Sequence, residues 1–253
     1  MEVHHHPDVE KKGFKEYILE GLMIFLAVTM GFFAESFREH VTEKSREREY
    51  IQSMIADLKK DTANFRQTLD QNHYCIRGLD SLILLLNSPK RDQYGSELYY
   101  LARASIYRIS LFQPSDRVYN EMKSSGNLRL ITKEAIADSI TTYYYDIDDW
   151  KVQNEIVRQL TLNYINSLTK VFDGAVFQKM INDPKFKFPE PPKPSGNPAL
   201  ASTSKADIAE LTGKTHFLYA RIDSKVKGLA QGFLNKATSL LKLLQREYNF
   251  TDE

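Results

Sequence analysis

Hydrophobic positions change their spacing several times along this chain. Residues 21–34 form an uncharged run, and widening it to 17–37 gives 21 residues with Glu20 and Glu35 near the ends. About 20 mostly apolar residues cross the ~30 Å hydrocarbon layer of a bilayer, whereas roughly 10–14 suit a core helix or a signal peptide. Tyr17 and Phe37 fit the two interfaces, where Lys15 and Arg38 can snorkel outward. A cleaved signal needs small residues after the run, and Phe32-Phe33-Ala34-Glu35 is a poor match. A buried helix would have to be apolar all round and yet lead into the densely charged residues 38–49. The run is therefore read as a transmembrane helix over 17–37, behind a tail at 1–16.

Beyond this run the spacing becomes that of an amphipathic helix. Only one glycine, Gly78, and no proline occur between 34 and 86. Apolar residues at Ile51, Met54, Ile55, Leu58, Phe65, Leu69, Ile76, Leu79, Ile83 and Leu86 mark one helical face. The span is thus predicted to continue into one long helix, ended by Asn87-Ser88-Pro89. A second helix is predicted over 93–111, with Leu98, Leu101, Ala102 and Ile109 inward. A short third covers 116–125 and closes at Gly126 in the left-handed conformation. A fourth starts from an N-cap at Thr132 and reaches about residue 181, burying among others Ile140, Trp150 and Ile156.

The last helix is predicted over 204–248 behind a Ser204/Asp207 capping pattern. Its inward stripe is Phe217, Ile222, Val226, Leu229, Phe233, Leu240 and Leu244. Between the last two helices, the prolines of 182–204 exclude helix and leave an extended polyproline arm or an ordered surface loop. No alternating strand pattern of useful length is present. The predicted fold is all-α: an N-terminal transmembrane helix continuing into a long helix, then an antiparallel helical bundle over 38–253. No second span is seen, which puts the whole bundle on one side of the membrane.

Composition narrows the function. Of the 253 residues, 34 are Lys or Arg and 33 are Asp or Glu, and this balance offers no field to recruit nucleic acid. The single cysteine, Cys75, excludes an intrachain disulfide framework and any Cys-rich metal site. Gly-rich phosphate loops, HExxH and GxSxG are all absent, and His40, His73 and His216 fall in three different predicted helices. No enzymatic activity is expected, and no cofactor beyond a metal at the N-terminus.

Three features carry candidate chemistry. His4, His5, His6 and Asp8 have the composition of a Zn, Ni or Cu site, although adjacent histidines on a tail cannot all serve one ion. Glu20, Ile24, Ala27, Gly31, Ala34 and Arg38 share one face of the span. Ala27 and Gly31 make its middle small enough for another helix to approach, so it is read as a docking face. Glu20 and Arg38 stand about 27 Å apart by helical rise and cannot pair with each other. A different protein could offer complementary charge at both levels, favouring a hetero-partner. The third feature, Tyr143-Tyr144-Tyr145, points in three directions on a helix and is read as packing.

The block MEVHHHPDVEKKGFKEYILEGLMIFLAVTMGFFAESFREH and the later segment YNEMKSSGNLRLIT resemble an uncharacterised family of bacterial single-span membrane proteins. The resemblance implies that the histidines are native, and it implies no activity. The expectation is a single-span protein of the bacterial inner membrane, acting as an accessory or scaffold subunit. Its partners would be another integral membrane protein or further copies of itself. Lys11, Lys12 and Lys15 on one side nearly balance the basic residues on the other, and the undiluted N-terminal cluster favours an extracytoplasmic bundle. The alternatives are a sensor-like ligand-binding bundle and a metal-handling protein using the N-terminal histidines.

Overall fold

The computed structural model describes residues 13–250, which divide into two units between Tyr50 and Ile51. Helix α1, Phe14–Leu86, is continuous through 73 residues, as expected from a stretch with one glycine and no proline. In the first unit its apolar side chains are bare. Phe25, Met30, Phe32 and Phe33 are 64–72% exposed, and the most apolar 18-residue window has a mean hydropathy of 1.9 with none of it buried. This removes the reading of residues 17–37 as a core helix. One helix in the described residues is long and apolar enough to cross a membrane.

The second unit takes the rest of α1 and adds α2 (Gly95–Arg108), α3 (Arg117–Ser124), α4 (Glu134–Val171), α5 (Gly174–Asn182), α6 (Lys205–Ser224) and α7 (Ala230–Glu247). Asn72 bonds Ser110, and Asp61 accepts from Ser115, so the chain through α2 and α3 returns antiparallel to α1. Helix α4 runs with α1, and α6 and α7 run back against α4. Successive pairs Lys170–Glu210 (2.7 Å), Asp146–Lys236 (2.6 Å) and Lys133–Glu247 (2.8 Å) show that last direction. The result is the predicted all-α antiparallel bundle. Its core holds Phe65, Phe112, Trp150 and Phe233 at one level, and Leu79, Leu82, Tyr99, Tyr164 and Phe172 at another.

Several boundaries differ from the sequence reading, each for a local reason. Gly126 does adopt φ +72° after α3, followed by a 3-10 turn at Asn127–Leu130. Thr132 is not the cap of α4; Lys133 holds that position without a side-chain bond. The helix expected to reach residue 181 stops at Val171, because the Asp173 carboxylate accepts from Ala175 N at 2.8 Å and starts α5 afresh. Ser204 does cap α6, accepting from Asp207 N at 3.1 Å. The last helix is interrupted by a π turn, Lys225–Leu229. Its extra residue passes burial from Leu229, which is 45% exposed, to Ala230, while Lys225, three residues after buried Ile222, continues the inward face up to the turn. Phe217 and Ile156, also expected inward, are 67% and 40% exposed.

The proline-rich segment is an ordered loop rather than a free arm. Ser96 Oγ donates to Pro194 O, Asn197 Nδ2 donates to Asp92 O, and Ala201 N donates to Val171 O. The Tyr99 hydroxyl ties this loop to the α4–α5 junction, donating to Ala199 O and accepting from Asp173 N.

Gly95 is the tightest point of that contact: a Cβ there would lie 2.1 Å from Pro198 O. Gly95→Ala is expected to lower stability by about 1–3 kcal/mol through overpacking. Gly213→Ala, in α6 with no neighbour within 4 Å of the added atom, should instead gain up to about 1 kcal/mol of helix propensity. Thermal unfolding of the two variants beside the parent checks both signs.

Candidate functional site at the seam of α4 and α7

The inward stripe of α6, Leu211, Thr215, Leu218 and Ile222, continues to a lysine at the start of the π turn. Lys225 is 7% exposed, its amine donates to Asn154 Oδ1 at 2.5 Å, and it lies 4.1 Å from the centre of the Trp150 ring. Asn154 is itself 4% exposed and donates to Phe112 O at 2.8 Å. One amide thus joins α4, the chain before α3 and the π turn. Among the described residues no carboxylate pairs with Lys225. Burial, with Arg221 adding a like charge, pushes its pKa down to about 7. The Trp150 indole N–H and Arg221 Nε are also buried without a partner.

Two clefts open along the same seam because small residues face each other there. One, of about 340 Å³, has Tyr143, Leu240 and Leu243 in its wall, with Ser139, Thr142 and Ser239 leaving the space. The other, of about 190 Å³, is formed by Trp150, Phe233, Gly228 and Gly232 and carries Asp146 and Asp149. The Lys236–Asp146 ion pair stands between them, since Lys236 lines both. The chemistry on offer is a buried proton-exchanging amine beside an acidic, aromatic cleft. π turns inside α-helices are frequent at functional sites.

The predicted site residues lie elsewhere. His4, His5, His6 and Asp8 fall outside the described residues. Of the docking face, Ile24, Ala27, Gly31, Ala34 and Arg38 are exposed and Glu20 is partly covered; a Cβ on Gly31 would meet nothing within 4 Å. Arg38 bonds Glu35 in its own chain at 2.5 and 3.0 Å. Tyr143 and Tyr144 are buried, the latter stacked on Tyr119 at 4.1 Å, while Tyr145 is 75% exposed, as a packing role requires. Lys225 and Asn154 were not singled out from sequence. The signal available was the spacing of Lys225, three residues from Ile222 and seven from Leu218, which puts it on their face of the helix.

Comparison with protein families, with curated proteins and with solved structures finds no match.

Replacing Asn154 by Leu strands both the Phe112 carbonyl and the Lys225 amine. The expected cost is about 1–3 kcal/mol. Asn154→Asp keeps an acceptor and should lose less, and urea unfolding of the two variants at one pH ranks them.

Proposed function

We propose that this is a membrane-anchored helical protein whose work is association: a single-span accessory or scaffold subunit of the bacterial inner membrane with an extracytoplasmic bundle. The observation that carries the reading is the apolar segment of α1, whose large side chains no part of the fold covers. Burying apolar area contributes about 25 cal/mol per Å², so such a surface is stable only in lipid or against a partner. The exposed Ala27 and Gly31 suit close helix approach within lipid.

A second reading, a ligand-sensing bundle, draws its support from the two clefts and the buried amine at the α4–α7 seam. The metal-handling reading rests on His4, His5, His6 and Asp8, which lie outside the described residues.

Topology is tested with a new thiol. Cys75 is fully buried and burial pushes its pKa up to about 12, so it stays silent to thiol reagents while the bundle is folded. An Asn163→Cys variant, at an exposed position of α4, supplies the only reactive site. Intact cells should label with a membrane-impermeant maleimide. Labelling only after the inner membrane is opened would place the bundle in the cytoplasm.

Association is tested at the small-residue face. Gly31→Leu should weaken it by about 1–2 kcal/mol, with Phe25→Leu on another face nearly neutral. A photocrosslinker at Ala27 identifies the partner. Equal loss in the two variants, or no crosslink at all, refutes docking through this face.

A further inference from the structure

Helix α2, helix α5 and the proline-rich loop meet on a face where cations outnumber their partners. Arg103 of α2 is partly buried there. Its guanidinium lies 4.8 Å from the centre of the Tyr107 ring and 5.8 Å from that of Phe177, and its Nε donates to the Tyr107 hydroxyl at 3.0 Å. Among the described residues nothing bonds its two terminal nitrogens, which can take a carboxylate in a bidentate grip. Lys179 of α5 and Lys185 and Lys187 of the loop are exposed. Among the described residues none of these cations forms an ion pair. The carboxylates of this face serve other groups: Glu190 pairs with Arg108, Glu97 pairs with Lys193, and Asp183 Oδ1 accepts from Lys185 N at 2.8 Å.

Apolar surface alternates with this charge. In Lys185-Phe186-Lys187-Phe188 the two rings pack on Tyr107, at 5.9 and 5.4 Å, and Phe188 is still 73% exposed. Beside them a cleft of about 430 Å³ opens between α5 and the loop. Val176, Met180 and Pro194 give it apolar walls, and Lys179, Lys185 and Lys193 line it as well. Those walls are fixed in advance, because Ser96, Tyr99 and Asn197 bond the loop in place. A preformed surface gives up little conformational freedom on binding.

Two properties select the occupant. It must be negative, since unpaired cations gain most from a complementary charge. It must also bring apolar side chains at intervals, since a bare row of phosphates would leave Phe188, Val176 and Met180 without a partner. We propose that the face formed by α2, α5 and the proline-rich loop docks an acidic, partly apolar segment of another protein. This surface belongs to the bundle and goes beyond the association read from α1, so either can fail without the other.

The test uses the full chain in mild detergent and a fluorescein-labelled peptide repeating Glu-Leu-Glu-Pro, read by fluorescence anisotropy. This peptide should bind, and less tightly as salt rises. The repeat with Gln for Glu should not bind, and the repeat with Gly for Leu should bind more weakly. The Lys185→Glu, Lys187→Glu double variant should lose affinity by about tenfold or more. Phe188→Ser should also lose affinity while keeping the salt dependence. Lys242→Glu, at an exposed position of α7 outside this face, should bind like the parent, and so should Gly31→Leu. Thermal unfolding should be alike in all of them, since each altered side chain is exposed. Equal affinity for the Gln repeat, full affinity in the Lys185/Lys187 variant, or an equal loss in Lys242→Glu overturns the proposal. So does tighter binding of oligothymidylate or inorganic polyphosphate than of the peptide, which would make the face a site for phosphates.

Discussion

The bundle depends on keeping α4 in antiparallel register with α6 and α7, and the aromatic cluster around Trp150 is what holds it. Phe65 packs 4.8 Å from Phe112, 5.0 Å from Trp150 and 5.0 Å from Phe233, joining four segments at one level. Buried aromatic side chains dominate core energetics, and paired rings add about 0.5–1.5 kcal/mol beyond their area. The ion pairs along the seam, such as Lys170–Glu210 and Lys133–Glu247, follow that register rather than create it. Each involves a side chain more than half exposed, and exposed pairs contribute about 0–1 kcal/mol.

The same constraint explains the π turn. The buried stripe steps by three and four through Leu218, Ile222 and Lys225, then by five to Ala230 before Phe233 and Ala237, so the turn holds one extra residue. Inserting it as a π turn preserves packing on both sides. The cost appears locally: Leu229 turns out to solvent, and Gly228 with Gly232 leaves the seam open. π turns inside α-helices are frequent at functional sites. The only amine of the core, among the described residues, is placed there by the demands of apolar neighbours.

Within α1, one continuous helix carries two side-chain patterns. Residues 51–86 obey the three-and-four spacing of a face packed in protein, with Ile51, Leu58, Phe65, Leu79 and Leu86 at 0–1% exposure. Residues 17–37 are apolar all round and uncovered. Secondary structure does not distinguish these stretches, because backbone hydrogen bonding is satisfied within the helix in either medium. The side-chain pattern does.

Much of this was readable from the sequence alone: the all-α class, the continuity of α1, the left-handed Gly126, the Ser204 cap and the breaking of helix by the prolines. Each is a local preference of backbone or side chain, and local preferences act without knowledge of the partner. The length and hydropathy of residues 17–37 belong in the same group. Tertiary structure alone decided where neighbours had to be accommodated. Helix α4 stops at Val171 because Asp173 caps a new helix and Tyr99, 74 residues earlier, bonds its N–H. The proline-rich segment is ordered because Ser96, Tyr99 and Asp92 bond it from elsewhere in the chain. The candidate site was legible only in part. A stripe drawn through the apolar Ile222, Val226 and Leu229 passes over Lys225, which holds the same helical spacing from Leu218 and Ile222, and only the tertiary structure shows the π turn that passes burial from Leu229 to Ala230.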